Sequence, residues 1–146
     1  MRSFEETRII PCTAQKMYDV VLDIDAYSDF LPWVADSRIL TQGEGELTAE
    51  LVADLAGTHH SFQTVDRYIS GKLIEIRLLE GPFKFLESIW TFEDHAEGQC
   101  NVHFSIEFEF RSMMMDMVAS PVFASACKSM VHAFQKRAIE LQGNMR

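Results

Sequence analysis

Residues 102–110 of this chain, VHFSIEFEF, alternate strictly between apolar and polar side chains. Because successive side chains of a β-strand point to opposite faces, this alternation predicts a strand with one dry face and one solvated face. A sheet with one apolar face needs a covering layer, so we expect a helix to pack against it. The side chains of the dry face are Val102, Phe104, Ile106, Phe108 and Phe110.

The covering helix is predicted at residues 113–141, the long helical pattern that follows this strand. Its apolar side chains advance by threes and fours, as on the buried face of an amphipathic helix. The phase of this stripe slips near Ser120-Pro121, a pair that resembles an N-cap followed by a first-turn proline. We therefore predict a kink or restart there, with the methionine-rich residues 113–117 as a separately oriented segment. The stripe consists of Phe123, Cys127, Met130, Val131, Phe134, Ala138 and Leu141.

Upstream, residues 33–110 predict an antiparallel meander of six strands, and residues 3–10 add a seventh. Between them, Thr13 has the character of an N-cap for a short helix that ends near Asp23. A second short helix at residues 25–30 must stop before Pro32. The strands are separated by turn signals at Gly43-Glu44-Gly45, Ala56-Gly57, Ser70-Gly71, Glu80-Gly81-Pro82 and Glu97-Gly98.

These patterns predict an α+β fold: a seven-stranded curved antiparallel sheet around a long C-terminal helix, with two short helices after the first strand. A length of 146 residues is that of one ordinary domain, so a single domain is expected over residues 1–146. The hydrophobic fraction of 47% and the charged fraction of 24% are those of a globular protein rather than a disordered or fibrous one.

The formal net charge of −9 gives a phosphate backbone little electrostatic reason to approach, so direct DNA binding is not expected. Cys12, Cys100 and Cys127 are too few and too scattered for a disulfide framework, which indicates reduced thiols. The first residues lack the apolar stretch of a secretion signal, and no apolar run approaches the ~20 residues needed to cross a bilayer. We expect a cytoplasmic protein, with any membrane contact peripheral at the inner membrane.

The sequence indicates neither a metal site nor a catalytic group. His59 and His60 are adjacent in a predicted strand and would point to opposite faces, so one metal could not easily bind both. Cys127 lies on the apolar helical stripe, and no nucleophile elbow of the form G-x-S-x-G is present. We therefore expect a protein that is not an enzyme and requires no cofactor.

Large and flexible apolar side chains are abundant, with eleven Phe, two Trp and eight Met. If the sheet and the helix cannot pack all of these directly, a hollow remains between them. Apolar hollows of roughly 300–1,000 Å³ are typical of small-molecule sites. These side chains either fill an ordinary core or line a hollow of that kind between the sheet and the last helix, and the composition leaves both alternatives open.

Residues 80–87, EGPFKFLE, followed by Trp90-Thr91-Phe92, resemble the signature of the coenzyme Q-binding, polyketide cyclase-like START family. Residues 27–33, YSDFLPW, are similar to the helix-to-strand corner of that family, although the family usually has proline where Ser28 stands. The resemblance runs nearly end to end. It implies the helix-grip fold, in which a ligand tunnel lies between the curved sheet and the long C-terminal helix.

The resemblance also implies a function: binding and transport of ubiquinone or an isoprenoid quinone intermediate, in support of respiratory electron transfer and without catalysis. A quinone head needs hydrogen-bond donors, and Lys84 is our candidate for one of them. Residues 113–117, including Met117, are expected to form a lid or a membrane-touching surface. Ligand contacts are predicted at Leu31, Trp33, Phe62, Phe83, Lys84, Phe85, Trp90, Phe104, Phe108, Met117, Phe123, Met130 and Phe134.

Two other functions stay open at this point. The shared fold would suit an aromatase or cyclase, with Tyr68 or Arg67 as the acid. Bacterial relatives described as toxins that block ribosome subunit association suggest a ribosomal partner, for which the basic end of the last helix, Lys136 and Arg137, is the sequence hint. The acidity of the chain disfavours the phosphate contacts that such a partner would offer.

Overall fold

Seven strands and four α-helices make up the part of the chain that the structure, a computed structural model, describes, which is residues 1–144. A single 3₁₀ turn, Ile24–Ala26, joins the first two helices. In chain order the elements are β1 (Arg2–Ile10), α1 (Ala14–Leu22), α2 (Tyr27–Phe30), β2 (Val34–Gln42), β3 (Glu46–Leu55), β4 (Thr58–Ile69), β5 (Leu73–Glu80), β6 (Phe83–Asp94), β7 (Cys100–Phe110), α3 (Met113–Lys128) and α4 (Met130–Asn144).

All seven strands belong to one antiparallel sheet in the order β1-β7-β6-β5-β4-β3-β2. Strands β2 to β7 form a meander, and β1 returns to pair with β7, so that Arg2 lies opposite Phe108. The alternation in residues 102–110 has the expected result, because Val102, Phe104, Ile106, Phe108 and Phe110 are all buried. The predicted α+β architecture and strand number are confirmed.

The short helices between β1 and β2 also lie where the sequence predicts them. Thr13 caps α1, since its side-chain oxygen accepts a hydrogen bond from the backbone N–H of Lys16 at 3.2 Å. The α2 helix ends at Phe30, and Leu31 is extended because the residue before a proline avoids helical geometry. Met17 and Val21 of α1 and Ile24 of the 3₁₀ turn are buried in the core.

The C-terminal helical region is divided at Ser129, and the prediction of a restart at Ser120-Pro121 is wrong. Pro121 lies inside α3, which begins nine residues earlier in the chain at the Ser112 cap. A proline in this position leaves the carbonyl of Met117 without its helical donor, and the 77% exposure of Met117 gives water access to that region. Ser120 is not a cap, since its hydroxyl donates to Asp116 Oδ1 at 2.8 Å.

Helices α3 and α4 together cover the dry face of the sheet. The predicted stripe is correct in its buried members, and Phe123, Cys127, Val131, Phe134 and Ala138 are at most 2% exposed. Rings on the helices pack edge-on against rings on the sheet, with centroids 4.8 Å apart for Phe108–Phe123 and 5.3 Å apart for Trp90–Phe134. Edge-to-face pairs at such distances are favourable beyond the area that they bury.

The turn before β6 requires glycine at position 81. Gly81 has φ +151°, and a Cβ built on it would lie 2.4 Å from Cβ of Phe62. Gly98 also has positive φ, +73°, but a Cβ there would meet no atom within 4 Å. An alanine at either position would have a strained backbone, but only an alanine at position 81 would also overlap a neighbouring side chain.

We expect Gly81→Ala to lower the free energy of unfolding by about 3 kcal/mol, because strain and overlap add. Gly98→Ala is the matched control and should cost about 1 kcal/mol from backbone strain alone. Urea denaturation followed by circular dichroism measures both values. Equal losses in the two variants would contradict the close approach of Phe62.

Candidate ligand cavity

A cavity of about 70 Å³ lies between the inner face of the sheet and helices α3 and α4. Most of its lining is apolar and comes from strands β3 to β7 and both helices. The aliphatic and aromatic walls include Leu51, Ile76, Leu86, Ile106 and Phe123. The arrangement is that of a helix gripped by a curved sheet, with open space where the two layers separate.

Three polar side chains of the sheet interrupt this apolar lining: Thr64, Asp66 and Ser88. They are 2%, 3% and 5% exposed, respectively. The hydroxyl of Thr64 donates a hydrogen bond to Asp66 Oδ1 at 2.8 Å. The cavity therefore combines an apolar body with a small polar cluster on one wall, as small-molecule sites commonly do.

A family model described as polyketide cyclase / dehydrase and lipid transport matches residues 10–135. The chain belongs to this family. Its START-like, helix-grip architecture agrees with the resemblance carried by residues 80–87.

Proteins similar to this chain carry names that refer to different functions. Ribosome association toxin RatA of Rickettsia prowazekii is 36% identical, over 97% of this chain and 99% of that protein. Coenzyme Q-binding protein COQ10 homolog B of Xenopus laevis is 31% identical, over 96% of this chain and 59% of that protein. The crystal structure of the Zhui aromatase/cyclase of a Streptomyces species is 19% identical with a TM-score of 0.82, over 94% and 93% of the two chains, which shows the shared fold.

The structure brings together seven of the residues predicted to contact a ligand in this family member. They come from the α2–β2 corner, from three strands and from both C-terminal helices, so that distant parts of the sequence meet at one cavity. The seven residues that line it are Trp33, Phe62, Trp90, Phe104, Phe123, Met130 and Phe134. Their roles in binding stay predictions.

Four other predicted contacts do not line the cavity. Leu31, Phe83 and Phe108 are buried in the surrounding core, where Phe83 stacks on Phe110 with ring centroids 4.5 Å apart. Phe85 is half-buried on the other side of β6. Aromatic residues in the alternating pattern are therefore of two kinds, and alternation alone does not separate cavity walls from solid core.

Lys84 and Met117 are exposed, and neither reaches the cavity. A bulge between Phe83 and Phe85 shifts the register of β6, so that Phe83 and Leu86 point inward while Lys84 points outward. The Lys84 side chain is 73% exposed and its Nζ lies 3.7 Å from Glu109 Oε2. Lys84 is thus placed away from a ligand in the cavity, contrary to its expected role as a donor.

The two acids named for a cyclase reaction also lie outside the cavity. The hydroxyl of Tyr68 donates to the carbonyl oxygen of Gly43 at 3.0 Å. The side chain of Arg67 is 65% exposed and its Nε is 3.0 Å from Glu46 Oε2. Neither side chain is therefore placed to act on a molecule in the cavity.

The cavity is much smaller than the roughly 300–1,000 Å³ that is typical of small-molecule sites. Aromatic rings occupy the remaining space, as shown by Phe123, which contacts both Trp33 and Phe108 with centroids 5.7 and 4.8 Å apart. A ligand larger than this space therefore requires rings or helices to move outward.

Sequence reasoning missed the polar cluster, although a signal for it was present. Phe62, Thr64 and Asp66 occupy every second position of β4, so all three share the inner face. A carboxylate at an inward position is unusual because burial without a charged partner is unfavourable. The alternation in this strand is therefore the signal that places Asp66 on the inner face.

Burial raises the pKa of Asp66 to about 7, even though the hydrogen bond from Thr64 acts in the opposite direction. Removal of the carboxylate from water disfavours its charged form, and no cation pairs with it among the ion pairs of residues 1–144. Near neutral pH, a large share of the molecules carries a protonated Asp66.

We expect the stability of the protein relative to Asp66→Asn to fall as pH rises. A carboxyl whose folded pKa is raised contributes stability fully below its unfolded pKa of about 4 and loses it as pH rises through about 7. The difference in the free energy of unfolding between the two proteins should change by roughly 3 kcal/mol between pH 4 and pH 8, in favour of the variant. Urea titrations across this range measure it, and parallel profiles would contradict the burial of a titrating carboxyl.

Proposed function

We propose that this protein binds and carries an apolar ligand with a small polar head, and that the ligand is an isoprenoid quinone such as ubiquinone. The observation that carries the proposal is the apolar cavity between the dry face of the sheet and α3–α4, with three polar side chains on one wall. The resemblance in residues 80–87 and the coenzyme Q-binding relative support the choice of quinone.

Apolar contact supplies ample affinity for such a ligand. Each buried CH₂ contributes about 0.8 kcal/mol, so a few isoprene units suffice for tight binding. Binding also has a free-energy cost, because the rings that fill the space without a ligand must move outward. We expect the ring of Trp33 to move, because Trp33 is only partly buried. Its ring meets that of Phe123 edge-on, with centroids 5.7 Å apart.

The N-terminal half of α3 provides an apolar surface by which the protein would meet a membrane. Met113, Met114, Met117 and Val118 are 85%, 75%, 77% and 55% exposed, respectively. Thioether side chains are flexible and adapt to irregular apolar partners. No helix in the described part of the chain is long and apolar enough to cross a membrane. The methionine surface would therefore lie on a bilayer while the ligand enters.

Extraction of the purified protein with organic solvent, followed by mass spectrometry, is expected to release an isoprenoid quinone. Ile76→Phe adds volume to a cavity wall and should weaken ubiquinone binding roughly tenfold, as measured by quenching of tryptophan fluorescence. Ile89→Phe is the matched control, because Ile89 is 40% exposed and lies outside the cavity. An empty extract together with no quenching by ubiquinone would refute the proposal.

Met117→Asp is expected to abolish uptake of ubiquinone from liposomes without unfolding the protein. A charge on this surface opposes contact with the hydrocarbon of the bilayer, whereas the exposure of Met117 makes the substitution harmless to the core. Leu79→Asp, at a position 54% exposed on β5, is the control and should leave uptake unchanged. Normal uptake by Met117→Asp would show that the methionine surface has no part in loading.

A second candidate function is association with ribosomal subunits, favoured by the 36% identity to RatA over almost the whole length of both chains. The structure weakens the sequence hint for it. Arg137 at the basic end of α4 lies over the ring of Phe30 at 5.2 Å and within 4.0 Å of Asp29, so this cation is already engaged within the molecule. The net charge of −9 adds general repulsion from RNA phosphates.

Cosedimentation with purified ribosomal subunits distinguishes the two candidates. If the second function holds, the protein should pellet with subunits at low salt and dissociate as the salt concentration rises, because phosphate contacts release counterions. The quinone proposal alone predicts no cosedimentation at low salt. Serum albumin, which is also acidic, serves as the control for trapping in the pellet.

A further inference from the structure

The hydroxyl of Ser88 is buried without a hydrogen-bond partner. Ser88 is 5% exposed, and its Oγ is the buried side-chain polar atom left unpaired within residues 1–144. Leaving a buried donor unpaired costs about 1–3 kcal/mol, and native proteins keep few such groups. Because Ser88 lines the cavity, its unpaired hydroxyl belongs to the wall that a bound molecule would contact.

Ser88 has a polar counterpart two strands away on the same wall. Asp66 on β4 lies opposite Ile76 on β5, and Ile76 lies opposite Ser88 on β6. All three line the cavity. Since neighbouring strands are about 4.8 Å apart, the backbones of Asp66 and Ser88 are roughly 10 Å apart with the apolar Ile76 between them.

Both polar groups can donate a hydrogen bond. The Ser88 hydroxyl rotates freely to suit a partner. Asp66 Oδ1 already accepts from Thr64, so its second oxygen carries the proton when the carboxyl is neutral. With the pKa of Asp66 raised to about 7 by burial, the neutral form is well populated at neutral pH. The wall thus presents two donors with an apolar step between them.

We propose that Asp66 and Ser88 form a polar subsite that hydrogen-bonds the two carbonyl oxygens of a quinone ring lying across Ile76. This inference rests on the proposed function and names the groups that would recognise the ligand head. A ring with an acceptor at each end matches two donors at the ends of an apolar row. Lys84, the donor expected from the sequence, faces away from the cavity and is replaced in this role.

The two polar groups of the subsite also disfavour certain classes of ligand. A carboxylate or phosphate head would bring negative charge beside a carboxyl that is already difficult to ionise. A hydrocarbon without oxygen would leave Ser88 unpaired and gain nothing from the polar wall. Selection therefore favours neutral, acceptor-bearing heads over both.

The test compares Ser88→Ala with the natural protein in binding two probes. One probe is ubiquinone with two isoprene units, and the other is geranylbenzene, which has the same tail on a ring without carbonyls. Ser88→Ala should weaken quinone binding by about five- to tenfold and change geranylbenzene binding less than about twofold, because only one hydrogen bond is lost. The variant should fold normally and melt at an equal or higher temperature, since it removes an unpaired buried hydroxyl.

Ser37→Ala is the matched control. Ser37 is also buried but donates to the carbonyl oxygen of Ile24 at 2.7 Å, so its loss should lower the melting temperature without altering the ratio of the two affinities. Asp66→Asn should keep quinone binding, because the amide still donates while its oxygen accepts from Thr64. Asp66→Leu should lose it by a factor similar to that of Ser88→Ala.

The outcomes separate this inference from the proposed function. If the natural protein binds both probes and Ser88→Ala binds quinone equally well, the subsite is refuted while the apolar carrier function stands. Equal losses for quinone and geranylbenzene would also refute it, because they would report a change of cavity shape. If the natural protein binds neither probe, the carrier function fails and the subsite fails with it.

Discussion

The structure depends on contacts between aromatic rings. These rings pack α3 and α4 against the dry face of the sheet. Phe123 and Phe134 on the helices meet Phe108 and Trp90 on the sheet with centroids about 5 Å apart. Full burial of such a side chain contributes about 2–3 kcal/mol, so these few contacts make a large contribution to a domain of ordinary stability. The sheet has one apolar face, and without the helices that face would be exposed to water.

The same rings also form the walls of the cavity, which explains its small volume. Phe123, Phe134 and Trp90 contribute both to the core and to the lining. Protein interiors are close-packed, and an empty apolar space is unfavourable in proportion to its volume. The favourable arrangement is therefore the one in which the rings approach one another and leave little empty space. Thr64, Asp66 and Ser88 lie on strands of the sheet, so strand register sets the positions of their backbones.

The sequence was sufficient for the fold but not for the site. Strict alternation in β7 and the stripe from Phe123 to Ala138 predict their elements because one face of each is buried by the other. Position within a strand does not show how deeply the opposing layer reaches, so Phe83 and Phe104 look alike in sequence although only Phe104 lines the cavity. The outward direction of Lys84 does not follow from strict alternation, because a bulge in β6 changes the phase of the strand. Ser120-Pro121 resembles a helix start, although α3 begins at the Ser112 cap.

The interruption at Ser129 divides the C-terminal region into two helices that contact different parts of the fold. Helix α4 packs against α1 and β1, while α3 packs against β1, β3 and β7 and carries Phe123 over the cavity. Both helices line the cavity, α3 through Phe123 and α4 through Met130 and Phe134, so a sequence change in either helix alters the space between helix and sheet. Because the helical region is interrupted at Ser129, this space is bounded by two helices rather than by one continuous helix.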